Sequence, residues 1–308
     1  MSASSISVRT EPPVKTEAPS LPTALPEGEG SGRHRPRIAR IGVVSFLNTV
    51  PLIDGLEYLR DIELRQSVPS GLIGQLLQGE VDLALCSSID YQLSERELVI
   101  VPSGLLGSDG ATLTVRLYST VPIHRMTRVF CDSDSHTSVI LMRILLREIY
   151  DIDPAIVDYD AREHVAENRP IEWPEAVLLI GDKVVTDSPP AVRYPHQLDL
   201  GAAWANLTGL PFVFAAWMML EGADEQLVRT TAWALDRQRR ANMLSIDSIV
   251  HQHGPPRNWP LDLAHNYLRD HLAFEWTDER RQGLDRFFEM AHRHGLSPRH
   301  RPLHILAL

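Results

Sequence analysis

The feature that most constrains the fold is a strand–helix–strand pattern that occurs twice in succession. In the first unit, a strand-like run at residues 37–43 is followed by an amphipathic helix at 71–79 and a mainly apolar strand at 81–86. The second unit has a strand at 128–132, a strongly apolar helix at 139–150 and further strands after it. Alternation of this kind predicts an α/β fold with mostly parallel sheets.

The region after residue 204 returns to an apolar strand, at 209–217, and then becomes mostly helical, with helices expected at 224–244, 245–253, 261–271 and 278–294 and Gly295 just after the last of them. Tryptophans such as Trp204 and Trp217 are interpreted as core or interlobe packing. A first lobe, an inserted second lobe and a return to the first predict a two-lobed, periplasmic-binding-protein-like (type II) fold. We expect lobe 1 to comprise residues 37–125 plus 205–308, and lobe 2 to comprise 126–204. Ligands of open α/β sheets bind at the carboxyl ends of the strands, so the ligand cleft should lie between the lobes.

The composition and charge of the chain limit the kinds of molecule that it can bind. The 308-residue chain carries a formal net charge of −10, which argues against binding nucleic acid but not against a small anion in one local pocket. Residues 10–36 are rich in Pro, Glu, Ser and Gly, so we expect a disordered tail over 1–36. This region has no signal-peptide pattern, and no segment approaches the roughly 20 apolar residues that span a bilayer. We therefore expect a cytoplasmic protein without a membrane partner; the sequence does not fix its oligomeric state.

The cysteines and histidines do not form a metal-binding pattern. Cys86 and Cys131 each lie in an apolar run and are interpreted as buried small hydrophobic residues. Two His-x-His pairs lack cysteine or acidic residues at metal-ligand spacing, and solvated or capping roles suit them better. These pairs are His251 with His253 and His292 with His294. The sequence therefore predicts no metal ion, and it contains no phosphate-binding or dinucleotide-binding loop that would indicate another cofactor.

Small hydroxyl residues and glycines cluster at the predicted strand ends, and a polar loop precedes the helix at 139–150. Helix N-termini and such turns offer backbone N–H groups to an anion. The alternative is that Ser135 or Thr137 only caps the helix. Several such turns in one cleft favour a binding site, and the candidates for substrate binding are Ser45, Ser87, Ser88, Ser108, Gly110, Thr137, Ser138 and Asp182.

Asn48 is the sharpest single candidate for a catalytic role. It lies in the first strand-to-helix turn, which points toward the cleft in such folds, and its amide both donates and accepts hydrogen bonds without carrying charge. Taken alone, this residue would be better interpreted as an ordinary turn residue.

Several motifs occur along the chain: IGVVSFLNTVPL at 41–52, LQGEVD at 77–82, SDG at 108–110, TS at 137–138, LLIGD at 178–182, DLGAAW at 199–204 and, most specific, TGLPFVFA at 208–215. Together they resemble the chorismate dehydratases of the futalosine route to menaquinone. The similarity covers roughly residues 38–296. One departure is Thr114, which stands where the family usually has a serine, so the hydroxyl is kept and a methyl group is added.

The resemblance implies a hydro-lyase that removes water from chorismate to give 3-[(1-carboxyvinyl)oxy]benzoate, with Asn48 and Thr114 as catalytic residues and no cofactor. The motifs contain no evident protein base, so the substrate's own enolpyruvyl carboxylate is a candidate to take the ring proton. Two alternatives stay open. One is the sister enzyme that forms 1,4-dihydroxy-6-naphthoate from cyclic dehypoxanthinyl futalosine, and the other is a non-enzymatic small-anion binding protein with the same fold.

Overall fold

The computed structural model describes residues 37–132, 135–159 and 173–308, so the predicted tail at 1–36 lies outside the described residues. The described chain contains two five-stranded sheets. The first has the order β2–β1–β3–β10–β4 and consists of β1 Ala39–Val43, β2 Ile62–Gln66, β3 Leu83–Ser87, β4 Leu98–Ser108 and β10 Phe212–Leu220. The second has the order β7–β6–β8–β5–β9 and consists of β5 Val115–Ser119, β6 Arg128–Asp132, β7 Ala155–Tyr159, β8 Ala176–Ile180 and β9 His196–Asp199.

Each sheet contains one strand that opposes its neighbours. In the first sheet β1 runs parallel to β2 and β3, whereas β10 is antiparallel to β3 and β4. In the second, β6 is parallel to β7 and β8, whereas β5 is antiparallel to β8 and β9. The two exceptions, β5 and β10, are the strands that the chain forms directly after crossing between lobes. The strand–helix–strand units contain the expected parallel pairs, and β5 and β10 make both sheets mixed.

The two sheets divide the chain earlier than the expected lobe boundary at residues 125 and 126. β5 pairs with β8 and β9 of the second sheet, so the chain crosses from lobe 1 to lobe 2 between Ser108 and Val115. The alternating pattern of this segment indicates a strand but does not indicate the sheet to which the strand belongs, because pairing is a long-range property.

Helices cover both sheets. They are α1 Val50–Ile53, α2 Pro69–Leu77, α3 Asp90–Leu93, α4 His136–Tyr150, α5 Lys183–Thr186, α6 Leu200–Thr208, α7 Glu225–Leu244, α8 Ile246–His253, α9 Leu261–Asn266 and α10 Asp278–Arg293. A π-helical turn, Tyr267–His271, follows α9 and replaces the end of the single helix predicted over 261–271. Gly295 follows α10 at φ 67°, which confirms its predicted place as the glycine that ends this helix.

Aromatic side chains from several elements form the core where the chain returns to lobe 1. Trp204 of α6 and Phe287 of α10 both pack on Phe212 of β10, with ring centroids 5.3 Å and 4.9 Å away. All three side chains are buried. Trp204 and Trp217 therefore serve packing, as predicted, and the packing fixes α6 against the returning strand.

Candidate active site

A cavity lies between the two lobes, at the carboxyl ends of β1, β3 and β8. Its polar lining consists of hydroxyl and amide side chains. Lobe 1 supplies Asn48, Thr49, Ser87 and Tyr267, whereas the crossing segment and lobe 2 supply Thr112, Thr114, Ser135 and Ser138. The cavity therefore occupies the predicted place, at strand ends that face each other across the cleft.

The cavity is uncharged at neutral pH. Among the described residues that line it, none is Asp, Glu, Lys, Arg or His, and the remaining walls are apolar side chains such as Phe46, Leu85 and Phe214. An anion in this cavity must therefore be held by neutral donors and by helix or backbone N–H groups. Such preorganised donors act strongly where bulk water is excluded.

One side of the cavity carries a buried network centred on Tyr267. The hydroxyl of Tyr267 lies 2.6 Å from Thr114 Oγ1, and Asn48 lines the same cavity. Complete burial raises the pKa of Tyr267 far above its ordinary value, although the hydrogen bond with Thr114 opposes this shift. Tyr267 is thus a neutral hydroxyl at any ordinary pH, able to donate a hydrogen bond but not to act as a phenolate base.

Asn48 keeps one polar atom without a partner. Its side chain is only 9% exposed, and its Oδ1 is buried and accepts no hydrogen bond within the described structure. A buried unsatisfied amide oxygen costs free energy, and its place in the cavity lining leaves this oxygen available to a hydrogen-bond donor in the cavity.

The other side of the cavity is the N-terminus of α4. Ser135 caps this 15-residue helix: its Oγ accepts from the Ser138 backbone N–H at 3.2 Å and donates to Ser138 Oγ at 2.8 Å. Both serines line the cavity. The unpaired N–H groups and partial positive charge at this helix end suit an anionic group of a ligand.

The structure brings Asn48, Thr114, Ser87 and Ser138 of the predicted site residues into the cavity lining. The others lie outside this lining. Ser45 is exposed, and its carbonyl accepts from Arg257 at 3.1 Å. Ser108 donates to the carbonyl of Gly110 at 3.0 Å, so both belong to the crossing between lobes.

Ser88, Thr137 and Asp182 hold the lobes together instead of lining the cavity. Thr137 Oγ1 accepts from the Ile89 N–H at 3.1 Å and lies 3.2 Å from Ser88 Oγ. Asp182 of lobe 2 accepts from the indole of Trp259 at 3.0 Å and from the Leu47 N–H. Burial raises the pKa of Asp182, and these hydrogen bonds oppose the rise.

A third interlobe contact lies beside the Thr137 contact. His136 Nδ1 of α4 lies 2.7 Å from Asp90 Oδ1 of α3, and Asp90 is almost fully buried. The hydrogen bond to Asp90 raises the pKa of His136, against the lowering effect of its own partial burial. These contacts flank the cavity on two sides, so the described conformation is one with the cleft closed.

Sequence reasoning missed Tyr267, Thr112 and Ser135 as cavity residues. Tyr267 belongs to a segment predicted as ordinary helix, and the π-helical turn that directs it into the cavity has no simple sequence signature. Ser135 was interpreted only as a possible helix cap, and it is one, but it also faces the cavity.

The histidine and cysteine predictions concern residues away from the cavity. His253 and His294 pair with Asp54 and Glu148, respectively, at 2.8 Å and 2.7 Å. Cys86 and Cys131 are buried, as predicted, and neither forms a disulfide. Within the described ranges, no group of three or more His, Cys, Asp or Glu side chains could hold a metal ion. In the same residues, no helix has the length and apolarity needed to cross a membrane.

Comparison with known proteins identifies the family. The family model for menaquinone biosynthesis matches residues 39–293. The chain belongs to this menaquinone-biosynthesis family. Within it, the chain is 31% identical over 191 residues to the chorismate dehydratase of Thermus thermophilus, an alignment that covers 58% of this chain and 68% of that enzyme.

Solved structures agree with the two-lobed fold of this family member. A protein from Archaeoglobus fulgidus superposes with a TM-score of 0.69 at 16% identity, covering 86% of this chain and 100% of the other. A Candida albicans protein described as having the generic periplasmic binding protein fold superposes with a TM-score of 0.60 at 11% identity, covering 85% and 91% of the two chains. These similarities confirm the predicted periplasmic-binding-protein-like architecture.

Proposed function

We propose that this chain is a chorismate dehydratase that converts chorismate to 3-[(1-carboxyvinyl)oxy]benzoate and water in menaquinone biosynthesis. The related Thermus enzyme and the family both support this reaction. The observation that carries the proposal is the closed, uncharged cavity with Asn48, Thr114 and Tyr267 on one side and the N-terminus of α4 on the other. Chorismate has two carboxylates and a hydroxyl leaving group. The N-terminus of α4 can hold a carboxylate while the donors on the opposite side of the cavity hold the hydroxyl.

The N-terminus of α4 is the natural place for the ring carboxylate. Removal of the ring C3 proton spreads negative charge into this carboxylate, because the two positions are conjugated. Ser138 and the helix N–H groups would then stabilise charge that grows in the transition state. The opposite donor group, with Thr114 and Tyr267, would hold the C4 hydroxyl as it leaves.

The base is best supplied by the substrate itself. Tyr267 cannot serve, because burial keeps it protonated, and the other described lining residues carry no ionisable side chain. A substrate carboxylate moved into an uncharged cavity becomes more basic, since desolvation disfavours its charged form. The enolpyruvyl carboxylate would take the C3 proton, the C4–O bond would break, and that proton and the departing hydroxide would leave together as water. Aromatisation of the ring drives the step.

This reaction requires no cofactor and no metal ion, so we expect turnover by the purified chain alone. Incubation with chorismate should give the aromatic product, detected by its ultraviolet spectrum and by its mass, and added chelator should not change the rate. Tight binding of chorismate without turnover would instead indicate a binding protein. Turnover of cyclic dehypoxanthinyl futalosine, with chorismate unchanged, would indicate the sister enzyme.

A further inference from the structure

The segment that delivers Thr114 to the cavity contains a strained turn. Leu113 has φ 65°, a left-handed conformation that side-chain-bearing residues rarely adopt, and the Thr114 N–H donates to the Thr112 carbonyl at 2.8 Å. A three-residue turn closed this way is rare and strained. Such conformations persist only where surrounding contacts hold them, and they concentrate at functional sites.

Asp199 supplies the contacts that hold this turn. One carboxylate oxygen accepts from the Thr112 N–H at 2.9 Å and the other accepts from the Leu113 N–H at 2.8 Å. Arg116, two residues beyond Thr114, lies 3.5 Å from the same carboxylate. Both backbone donors that precede Thr114 are thus fixed by one side chain that lies more than 85 residues later in the chain.

Asp199 also begins α6, which ties the turn to a rigid element. Its Oδ1 accepts from the Ala202 N–H at 3.1 Å, an ordinary N-cap contact. The first turn of α6 presses directly on the strained segment: a Cβ at Gly201 would lie 2.3 Å from Thr112 Cγ2 and 2.4 Å from the Gly110 carbonyl oxygen. A glycine is therefore required for this close approach.

Capping alone does not account for these contacts. Asp224 caps α7 through the same kind of bond, to the Leu227 N–H at 3.1 Å, and its other carboxylate oxygen lies 3.6 Å from the Arg37 guanidinium. Asp199 makes that capping bond and two further bonds to the segment that carries Thr114. The DLGAAW motif at 199–204 thus starts a helix and also contacts the segment that carries Thr114.

We propose that Asp199 is a positioning residue that holds the strained turn at Leu113 so that Thr114 Oγ1 meets both Tyr267 and the leaving hydroxyl of the substrate. This role rests on the proposed dehydratase function. It predicts that Asp199 affects the chemical step through Thr114 and contributes little to substrate binding as such.

The test compares Asp199→Asn and Asp199→Ser with the control Asp224→Asn. Asn and Ser both remain good N-caps, but neither can accept from two backbone N–H groups with two carboxylate oxygens. Because a displacement of about 1 Å can cost roughly 10²-fold in rate, we expect kcat for chorismate to fall by about 10–10²-fold with KM little changed. Asp224→Asn should leave both constants unchanged.

A double substitution separates positioning from general damage. Once Thr114→Val has removed the hydroxyl, adding Asp199→Asn should cost kcat little more, because residues that act as one unit are not additive. Amide hydrogen exchange at Leu113 and Thr114 should be faster in both Asp199 variants. Fully additive losses, or unchanged exchange with unchanged kcat, would overturn the positioning role while leaving the dehydratase function intact. Absence of turnover by the unsubstituted chain would refute both.

Discussion

Replacing Thr114 by valine removes one hydroxyl from the cavity while almost preserving the shape of the side chain. Thr114 is only 2% exposed, and its Oγ1 lies 2.6 Å from the Tyr267 hydroxyl, which is itself fully buried. The substitution leaves that tyrosine with one partner fewer. We expect it to reduce the free energy of unfolding by about 1–3 kcal/mol, the usual cost of an unsatisfied buried polar group.

The effect on catalysis should be larger than the effect on folding. Loss of one preorganised donor commonly lowers turnover by about 10²–10³-fold. A domain with a typical stability of about 5–15 kcal/mol stays folded after the loss estimated above, so the rate would be measured on native protein. Thr114→Ser is the matched control: it keeps the hydroxyl, restores the family's usual residue, and should stay within about tenfold of the original rate or exceed it.

The assay pairs initial rates of chorismate turnover with thermal unfolding, for the unsubstituted chain and both variants. Each kcal/mol lost should lower Tm by roughly 2–4 °C in a domain of this size. If Thr114→Val unfolds earlier yet keeps a near-normal kcat, the hydroxyl serves packing alone and the proposed catalytic role of Thr114 is refuted.

Two further predictions concern other cavity-flanking groups. Asn48→Ala should lower kcat by about 10²–10³-fold without loss of secondary structure by circular dichroism, because it removes the amide whose Oδ1 has no protein partner; a normal rate would exclude Asn48 from the site. The second concerns His136, whose pKa is raised above 6.5 by Asp90, so the stability from this pair is present below the ordinary value and lost as pH rises through the raised one. The Tm difference between the unsubstituted chain and His136→Asn should therefore be largest below the ordinary pKa of histidine and shrink as pH rises through the raised pKa, and a constant difference would show that the imidazole charge does not contribute.

Strands buried on both faces could be predicted closely from the sequence. β3 is buried at every position, and its apolar run in the sequence leaves little choice of structure. β2 was not predicted, because its residues are mostly polar and half-exposed at the edge of a sheet. The membership of β5 in the second sheet depends on pairing with β8 and β9, which local periodicity does not encode.

Some cavity residues could also be located from local sequence, whereas others depend on contacts between distant parts of the chain. Ser87 and Ser138, two of the candidates at strand and helix ends, line the cavity, but their neighbours Ser88 and Thr137 face each other across the lobes instead. Adjacent residues at the end of a strand or the start of a helix point in different directions, so a motif locates the turn and not the side chain. Tyr267 depends on a π-helical turn far from the motifs, and only the folded chain brings it to Thr114.

The most direct test of the proposed mechanism is a crystal structure of this protein with the aromatic product bound. We predict the product in the uncharged interlobe cavity, with its ring carboxylate at the N-terminus of α4 beside Ser138. The ring carbon that lost the hydroxyl should face Thr114 and Tyr267, with Asn48 Oδ1 or its amide close to the ring substituents. A product that occupies a different cavity, or whose ring carbon C4 faces away from Thr114, would contradict the proposed mechanism.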